Sequence, residues 1–323
     1  MRIVSLLPSA TEIVYALGLG DDLVAVTHEC DFPPGARAKR HITRNLVPTG
    51  LASAEIDRAV VESSQNAHSI YQLDIELLVG LRPDLILTQD LCEVCAVPRS
   101  AVDEAVQRLD APAAVLSLDP TKLEDVLLSI EQVGEATGYQ EEARRLVTSL
   151  RERIEAVAAA TSDVAQRPRV FCCDWLDPVF CSGHWVPEQV RLAGGVDGLG
   201  QEAGPAISIE WQEVLRYAPE VIVLMPCGFD ASQAVARIDE LAHRSGWDTL
   251  PAVTKGRVYA VDASAYFSRP GPRLVDGLEL LAWILHSESF HKLAPSHAAL
   301  KSVPRPAGAS SVENWRPRFE PYI

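Results

Sequence analysis

Short runs of consecutive apolar residues recur along this chain with helix-period segments between them, and that alternation confines it to few folds. Residues 3–7, 23–26, 85–87 and 113–118 are too short for buried helices and read as strands covered on both faces. Residues 170–173, 221–225 and 258–261 repeat the pattern. Strands of that kind pair in parallel and need helical crossovers, so the fold class is α/β.

Between the two series lies a purely helical stretch. Leu123, Val126, Leu127, Ile130 and Val133 share one helical face over 121–137, and Gly138 is a natural stop. A second amphipathic run over 140–160 carries Ala143, Leu146, Val147, Leu150, Ile154 and Val157. At 1.5 Å per residue that helix spans ~30 Å, the width of a small domain. The expected organisation is an N-terminal α/β lobe at 1–118, a helical connector at 119–166, a C-terminal α/β lobe at 167–290 closing on a helix over 274–286, and an extended tail at 291–323. Two segments echo each other across the lobes: "IELLVGLRPDLIL" (75–87) and "WQEVLRYAPEVIVL" (211–224) each give a short helix, a proline, an acid and a strand.

Charge and length narrow the function. A formal net charge of −15 offers no basic surface for phosphates, which excludes nucleic acid as a partner. No apolar run approaches the ~20 residues of a membrane span, so no membrane insertion is expected. The apolar opening is only five residues long and runs into Pro8, Ser9 and Glu12. A secretory core is longer, so these residues read as mature structure and the expected location is cytoplasmic. Seven cysteines, an odd number in a chain this large, fit reducing surroundings.

In open α/β sheets ligands gather beyond the carboxyl ends of the strands. The unusual side chains of this chain concentrate there. His28 and Cys30 follow the strand at 23–26; Asp90, Cys92 and Cys95 follow 85–87; Trp175 follows 170–173; Cys227 and Phe229 follow 221–225. Cys92, Cys95, Cys30 and His28 together make a candidate set for zinc or another soft metal. The same cysteines also read as inert buried thiols or as a redox pair. Cys172 and Cys173 are adjacent in a strand, so at most one of them faces a ligand. His184 and Trp185 precede a helix, and Trp175, Trp185, Phe229, Tyr266 and Phe267 supply flat faces for a large planar ligand. Ser9 opens the pattern Ser-x-x-Glu with Glu12, a capping box whose exposed N–H groups also suit an anion or a ligand carbonyl. Arg269 stands in a proline-stiffened loop and reads either as a contact for a ligand phosphate or amide or as one half of a surface ion pair. No nucleophile–base motif, zinc-protease motif, P-loop or dinucleotide fingerprint occurs, so the reading is of a binding protein rather than an enzyme.

Five stretches carry a resemblance: "RIVSLLPSATEIVYALGLGDDLVAVTHECDFP", "IELLVGLRPDLIL", the long helix after residue 138, "VFCSGHWVPEQVRLAGG" and "AYFSRPGPRLVDGLELLAWIL". Over roughly 1–287 the chain resembles the substrate-binding proteins of ABC importers of the cobalamin and iron–siderophore class. That resemblance implies two Rossmann-like α/β lobes joined by a long rigid helix, with the ligand in the cleft between them. It implies a bulky metallated ligand, best a corrinoid such as cobalamin, with His28 or His184 near the metal. It also implies, as partner, a transporter or an enzyme that uses the corrinoid. Glu76, seven residues before Pro83, matches a surface acid with which such proteins dock on their transporter; the corresponding place before Pro219 holds Gln212, beside Glu210 and Glu213. Near Ile70, Gln89 and Ala206 the chain lacks the aromatic side chains that grip the corrin ring in the cobalamin members. Three functions follow: a cytoplasmic corrinoid-binding protein, a soft-metal protein, and an exported importer component.

Overall fold

In the computed structural model, residues 1–65, 69–90, 97–287 and 300–302 are described. The first series of elements is β1 (Ile3–Ser5), α1 (Pro8–Ala16), β2 (Leu23–Ala25), β3 (Thr43–Asn45), α2 (Ser53–Gln65), β4 (Tyr71–Leu73), α3 (Ile75–Leu81), β5 (Leu85–Thr88), α4 (Arg99–Gln107) and β6 (Ala114–Ser117). The helices α5 (Leu123–Thr137) and α6 (Gln140–Thr161) follow. Then come β7 (Arg169–Trp175), β8 (Phe180–Cys181), β9 (Gly183–His184), α7 (Val186–Leu192), β10 (Val196–Asp197), β11 (Gln201–Glu202), α8 (Trp211–Tyr217) and β12 (Val221–Leu224). The chain continues through α9 (Ala231–Ala236), α10 (Asp239–Ala242), α11 (Pro251–Thr254), β13 (Val258–Val261), α12 (Ala263–Tyr266), α13 (Leu274–Leu285) and β14 (Leu300–Ser302). No helix among the described residues is long and apolar enough to cross a membrane.

The chain forms two compact α/β units, one built from Met1–Pro120 with Glu124–Ser149, the other from Thr121–Leu123 and the described residues from Leu150 onward. The stretch expected as a separate connector is thus shared: α5 and the first part of α6 belong with the first unit, the rest of α6 with the second. Of the expected tail only 300–302 is described, and these residues pair antiparallel with β13.

In the first unit the sheet runs β2-β1-β5-β6, parallel throughout. Every residue of β1 and β5 is buried, as the unbroken apolar runs demand of strands with helices on both sides. Val4, Leu6, Ile42, Leu78 and Ile86 share one core cluster; burying a side chain of that size contributes ~1.5–3 kcal/mol. The first helix departs from the expected capping box. Its N-cap is Leu7, which has no side-chain cap, and Pro8 occupies the first turn. Pro suits that place because its missing N–H would have had no intrahelical partner. Ser9 is therefore inside the helix, and its side chain lies in the interior at 2% exposure. The far end stops at a glycine: Gly18 takes φ +79, its N–H bonds Tyr15 O, and Leu19 N–H reaches back to Val14 O. That is the Schellman arrangement, which needs a residue without a Cβ penalty.

The second unit carries the sheet β10-β7-β12-β13-β14, with β8 added beside β7. β7, β12 and β13 are parallel, Ile222 standing between Phe171 and Val258. Phe171, Leu176, Ile222, Leu224 and Trp247 form its main cluster. The sequence echo is structural. α3 and α8 are each seven residues long, and each ends on a non-glycine residue in the left-handed region, Arg82 at φ 46 and Ala218 at φ 49, directly before the proline. Each is opened by an acid: the Asp74 side chain accepts from Leu77 N–H, and Glu210 forms a reciprocal capping box with Glu213.

Candidate functional site

In the first unit the chain leaves β2 through Thr27 and turns, Cys30 N–H bonding Thr27 O at 3.2 Å. The turn separates two side chains expected to act together. Cys30 is driven inward, 2% exposed, with Sγ 3.1 Å from Thr11 Oγ1 and 3.2 Å from Thr27 Oγ1. Thr11 in turn donates to Ser5 Oγ, and Ser5 to Leu7 O. Cys30 belongs to this interior hydroxyl chain, where two oxygens satisfy a thiol that would otherwise be a lone polar group in the core. Its expected place in a ligand or metal set is corrected accordingly.

His28 points the other way. Its backbone N–H donates to Thr43 Oγ1 at 3.1 Å and its Nδ1 lies 2.7 Å from the same oxygen. Tyr71 packs on the ring at 5.3 Å between centroids and donates through its hydroxyl to Glu29 Oε1 at 2.9 Å. The other ring nitrogen, Nε2, is buried with no hydrogen-bond partner. Burial lowers the His28 pKa against the opposing pull of Glu29, so the ring is neutral at pH 7. These groups, with Leu6, Pro8 and Val97, line a shallow open depression at the carboxyl end of the sheet. Asp90 is exposed beyond β5; its backbone N–H is held by Asp119 Oδ1 at 2.5 Å, and Asp119 Oδ2 accepts from Ser117 at 2.7 Å. Cys92 and Cys95 lie outside the described residues.

In the second unit Trp175 ends β7, and Phe229 follows β12 in a turn closed by its own N–H to Pro226 O. Both rings are half-buried and sit 5.5 Å apart, tilted by 55°. The Arg237 guanidinium lies 4.8 Å over the Phe229 ring, leaving a small cation-backed aromatic surface. Cys227, in the same turn, is exposed. Cys172 and Cys173 are both fully buried, so neither faces a ligand, and burial raises both thiols, each further raised by Asp174.

His184 is held at φ 53, a conformation that L side chains adopt at a cost, with its N–H donating to Gly204 O at 2.6 Å. Its ring stacks on Trp185 at 5.4 Å, Nδ1 is buried without a partner, and burial lowers its pKa. Trp185 itself is core: 4% exposed, with Nε1–H donating to Phe267 O at 2.7 Å. Phe267 is 2% exposed. Burial removes Ser9, Cys30, Trp185 and Phe267 from direct reach of a ligand, because each is already surrounded by its own packing. Tyr266 and Arg269 are half-buried, and Arg273 stands 5.9 Å over the Tyr266 ring.

The structure keeps His28 and Asp90 at the strand ends of one unit, and Trp175, Phe229, His184, Tyr266 and Arg269 in the other. It adds Thr43, Tyr71, Glu29, Asp119 and Arg237, none of which sequence reasoning singled out. Thr43 and Tyr71 come from the antiparallel pair β3–β4, two short strands with no periodic signal. Among the described residues, no three His, Cys, Asp or Glu side chains are placed to hold a metal ion. Of the expected four-ligand zinc set, Cys92 and Cys95 lie outside the described residues, and Cys30 and His28 turn to different partners, Thr11 and Thr43.

The profile of the periplasmic binding protein family matches residues 3–265. An uncharacterized ABC transporter substrate-binding lipoprotein, YvrC of Bacillus subtilis, is 28% identical over 296 residues, covering 90% of this chain and 81% of that protein. The vitamin B12-binding protein of Vibrio cholerae is 28% identical over 284 residues, covering 86% of each. The periplasmic heme-binding protein RhuT from Roseiflexus, solved in its apo form, superposes with a TM-score of 0.66 at 21% identity, over 89% of this chain and 98% of that one. These relatives overturn the cytoplasmic location expected above, since they are a lipoprotein of an ABC transporter and a periplasmic protein. A mature first strand is equally at home in either compartment, so the residues behind that expectation did not bear on location.

Proposed function

Because the chain belongs to the periplasmic binding protein family, matched over most of its length, we propose that it is the ligand-capturing component of an ABC importer, working outside the cytoplasm. Its ligand is a bulky, flat metal chelate, a corrinoid first. The observation that carries this reading is the pair of buried imidazole nitrogens that make no hydrogen bond, His28 Nε2, which has Glu29 Oε1 4.0 Å away, and His184 Nδ1, each beside aromatic surface. An orphaned buried nitrogen costs ~1–3 kcal/mol unless something arrives to bond it. Two such nitrogens on neutral rings fit a ligand that brings amide or carboxyl groups, or an open metal coordination position. Trp175 and Phe229 give such a ligand flat faces to pack against.

Capture then needs no covalent step. Ring faces exclude water from the planar body of the ligand, the imidazoles fix its orientation, and release follows when the importer takes the load. Glu76, whose side chain is 80% exposed, supplies a docking acid for that handover. The relatives support a ligand of this class, one being a vitamin B12-binding protein and one a heme-binding protein.

Titration calorimetry and absorption spectra with cyanocobalamin, cobinamide and hemin test the proposal. Binding of cyanocobalamin or cobinamide at micromolar concentration or tighter is expected. Hemin bound alone would replace the corrinoid while keeping the capture role, and no binding of any of the three at ~100 μM would sink the reading.

A further inference from the structure

We propose that Cys173 and Cys181 are a modification site, a cross-strand thiol pair that closes to a disulfide in an oxidising compartment. The chemistry rests on the exported location proposed above; the geometry does not. β7 and β8 run antiparallel with Cys173 opposite Cys181, and the register shifts only beyond that pair, between Cys173 and Trp175. Both are fully buried and lie in one apolar cluster with Phe171 and Leu224, so their side chains share a face of the sheet. Cys172, the next residue along β7, faces the other side.

Backbone bonding identifies the kind of pair. Cys173 O accepts from Met225 N–H at 2.9 Å, toward β12, while Cys181 N–H donates to Ile207 O at 3.0 Å, away from β7. In an extended strand the N–H and C=O of one residue point to the same side, so neither cysteine directs its backbone groups at the other. Theirs is the non-hydrogen-bonded type of antiparallel pair, whose Cα atoms stand roughly 4.5 Å apart. A disulfide accepts Cα separations of roughly 4.4–6.8 Å. In the reduced state each thiol donates sideways, Cys173 Sγ to Trp175 O at 3.1 Å and Cys181 Sγ to Ile207 O at 3.5 Å. Thiols are weak donors, so little is lost when both sulfurs turn to face each other.

The oxidant is a low-molecular-weight or protein disulfide. Both thiols are buried in the closed hairpin, so the exchange takes place when β8 opens locally from β7: Cys181 then gives up its proton to solvent, attacks one sulfur of the oxidant and expels the first thiolate. Cys173 then gives up its proton, attacks Cys181 Sγ in the mixed disulfide and expels the second thiolate. Two protein thiols become one S–S bond, and the oxidant's disulfide becomes two thiols. The closed bond pins the hairpin that carries Trp175 at its turn and leads into His184.

The test uses the full chain without ligand, equilibrated with mixtures of reduced and oxidised glutathione, then denatured and alkylated. Under oxidising mixtures Cys173 and Cys181 should resist alkylation. Chymotryptic peptides 172–175 and 181–185 should be recovered linked, with fragment ions placing the bond on Cys173, and dithiothreitol should separate them. Cys181→Ser should restore alkylation of Cys173; far-ultraviolet circular dichroism checks that this variant is folded, and the fragment ions of the unsubstituted chain decide the matter if it is not. Full alkylation of both thiols at every glutathione ratio, or a bond placed on Cys172, would overturn the proposal. No ligand is present in this experiment, so its failure leaves ligand capture standing, and a failure of ligand binding leaves the linkage standing.

Discussion

Tryptophan has two different jobs in this protein, and position relative to the core divides them. Trp185 is 4% exposed and spends its only polar atom on Phe267 O, whereas Trp175 keeps a half-buried ring against Phe229. Trp185→Ala should cost ~3–5 kcal/mol of stability, read from urea midpoints, because it removes a buried ring and leaves a carbonyl unpaired. Trp175→Ala should change stability by about 1 kcal/mol or less and weaken ligand binding about tenfold or more in calorimetry. Equal stability losses in the two variants would contradict this division. Sequence alone placed both residues in one aromatic set. Trp185 has no local feature that marks it as core, since its partner Phe267 is 82 residues away.

Elements α3 and α8 show where the fold tolerates cost. Arg82 and Ala218 take the left-handed conformation that usually falls to glycine at the end of a helix. Arg82→Gly and Ala218→Gly should each stabilise the protein by about 1 kcal/mol, visible as a higher urea midpoint at unchanged slope. Helix α13 is tied to α6 by one guanidinium shared between two acids: Arg153 reaches Asp276 at 2.6 Å and Glu279 at 2.8 Å. Burial pushes the Asp276 carboxyl up to about 7, with Arg153 pulling it only partly back. The unfolded carboxyl ionises near 3.8, so between about pH 4 and 7 the folded state holds the extra proton and stability falls as pH rises through that window. Asp276→Asn keeps an acceptor for Arg153 and removes this titration. The stability of the variant relative to the parent should therefore rise as pH goes from 4 to 8. A difference in urea midpoint that stays constant with pH would refute the assignment.

At the scale of the whole molecule, each of the two α/β units presents one buried imidazole nitrogen that makes no hydrogen bond, His28 Nε2 in one and His184 Nδ1 in the other, and the proposed capture role is tested by substitutions in each unit separately. His28→Ala in one unit and Trp175→Ala in the other should each weaken binding. The double variant should lose close to the sum of the two free energies, as independent contacts do. Saturating ligand should raise the unfolding free energy of the parent by ~2.7 kcal/mol at one hundred times Kd, an effect the double variant should lack at the same concentration. A double variant no weaker than Trp175→Ala would remove His28 from the proposed ligand contacts.

The amino-acid order was enough to fix the α/β class and the positions of the strands β1, β2, β5, β6, β7, β12 and β13, but not of the short strands such as β3, β4 and β8. The run at 258–261 matches β13 end for end, and the expected helices over 121–137 and 274–286 match α5 and α13 to within two residues. Gly138 was also legible as a helix stop. These features follow from hydrophobic period and from a glycine's lack of Cβ, both local properties. Which side chains meet was not local. His28 and Cys30 are two residues apart, yet one turns to Thr43 and Tyr71 and the other to Thr11. Cys173 faces Cys181 only because a four-residue turn folds β8 back on β7. Contacts of that kind are decided by register and turn direction, and only tertiary packing selects among the faces that the sequence leaves equivalent.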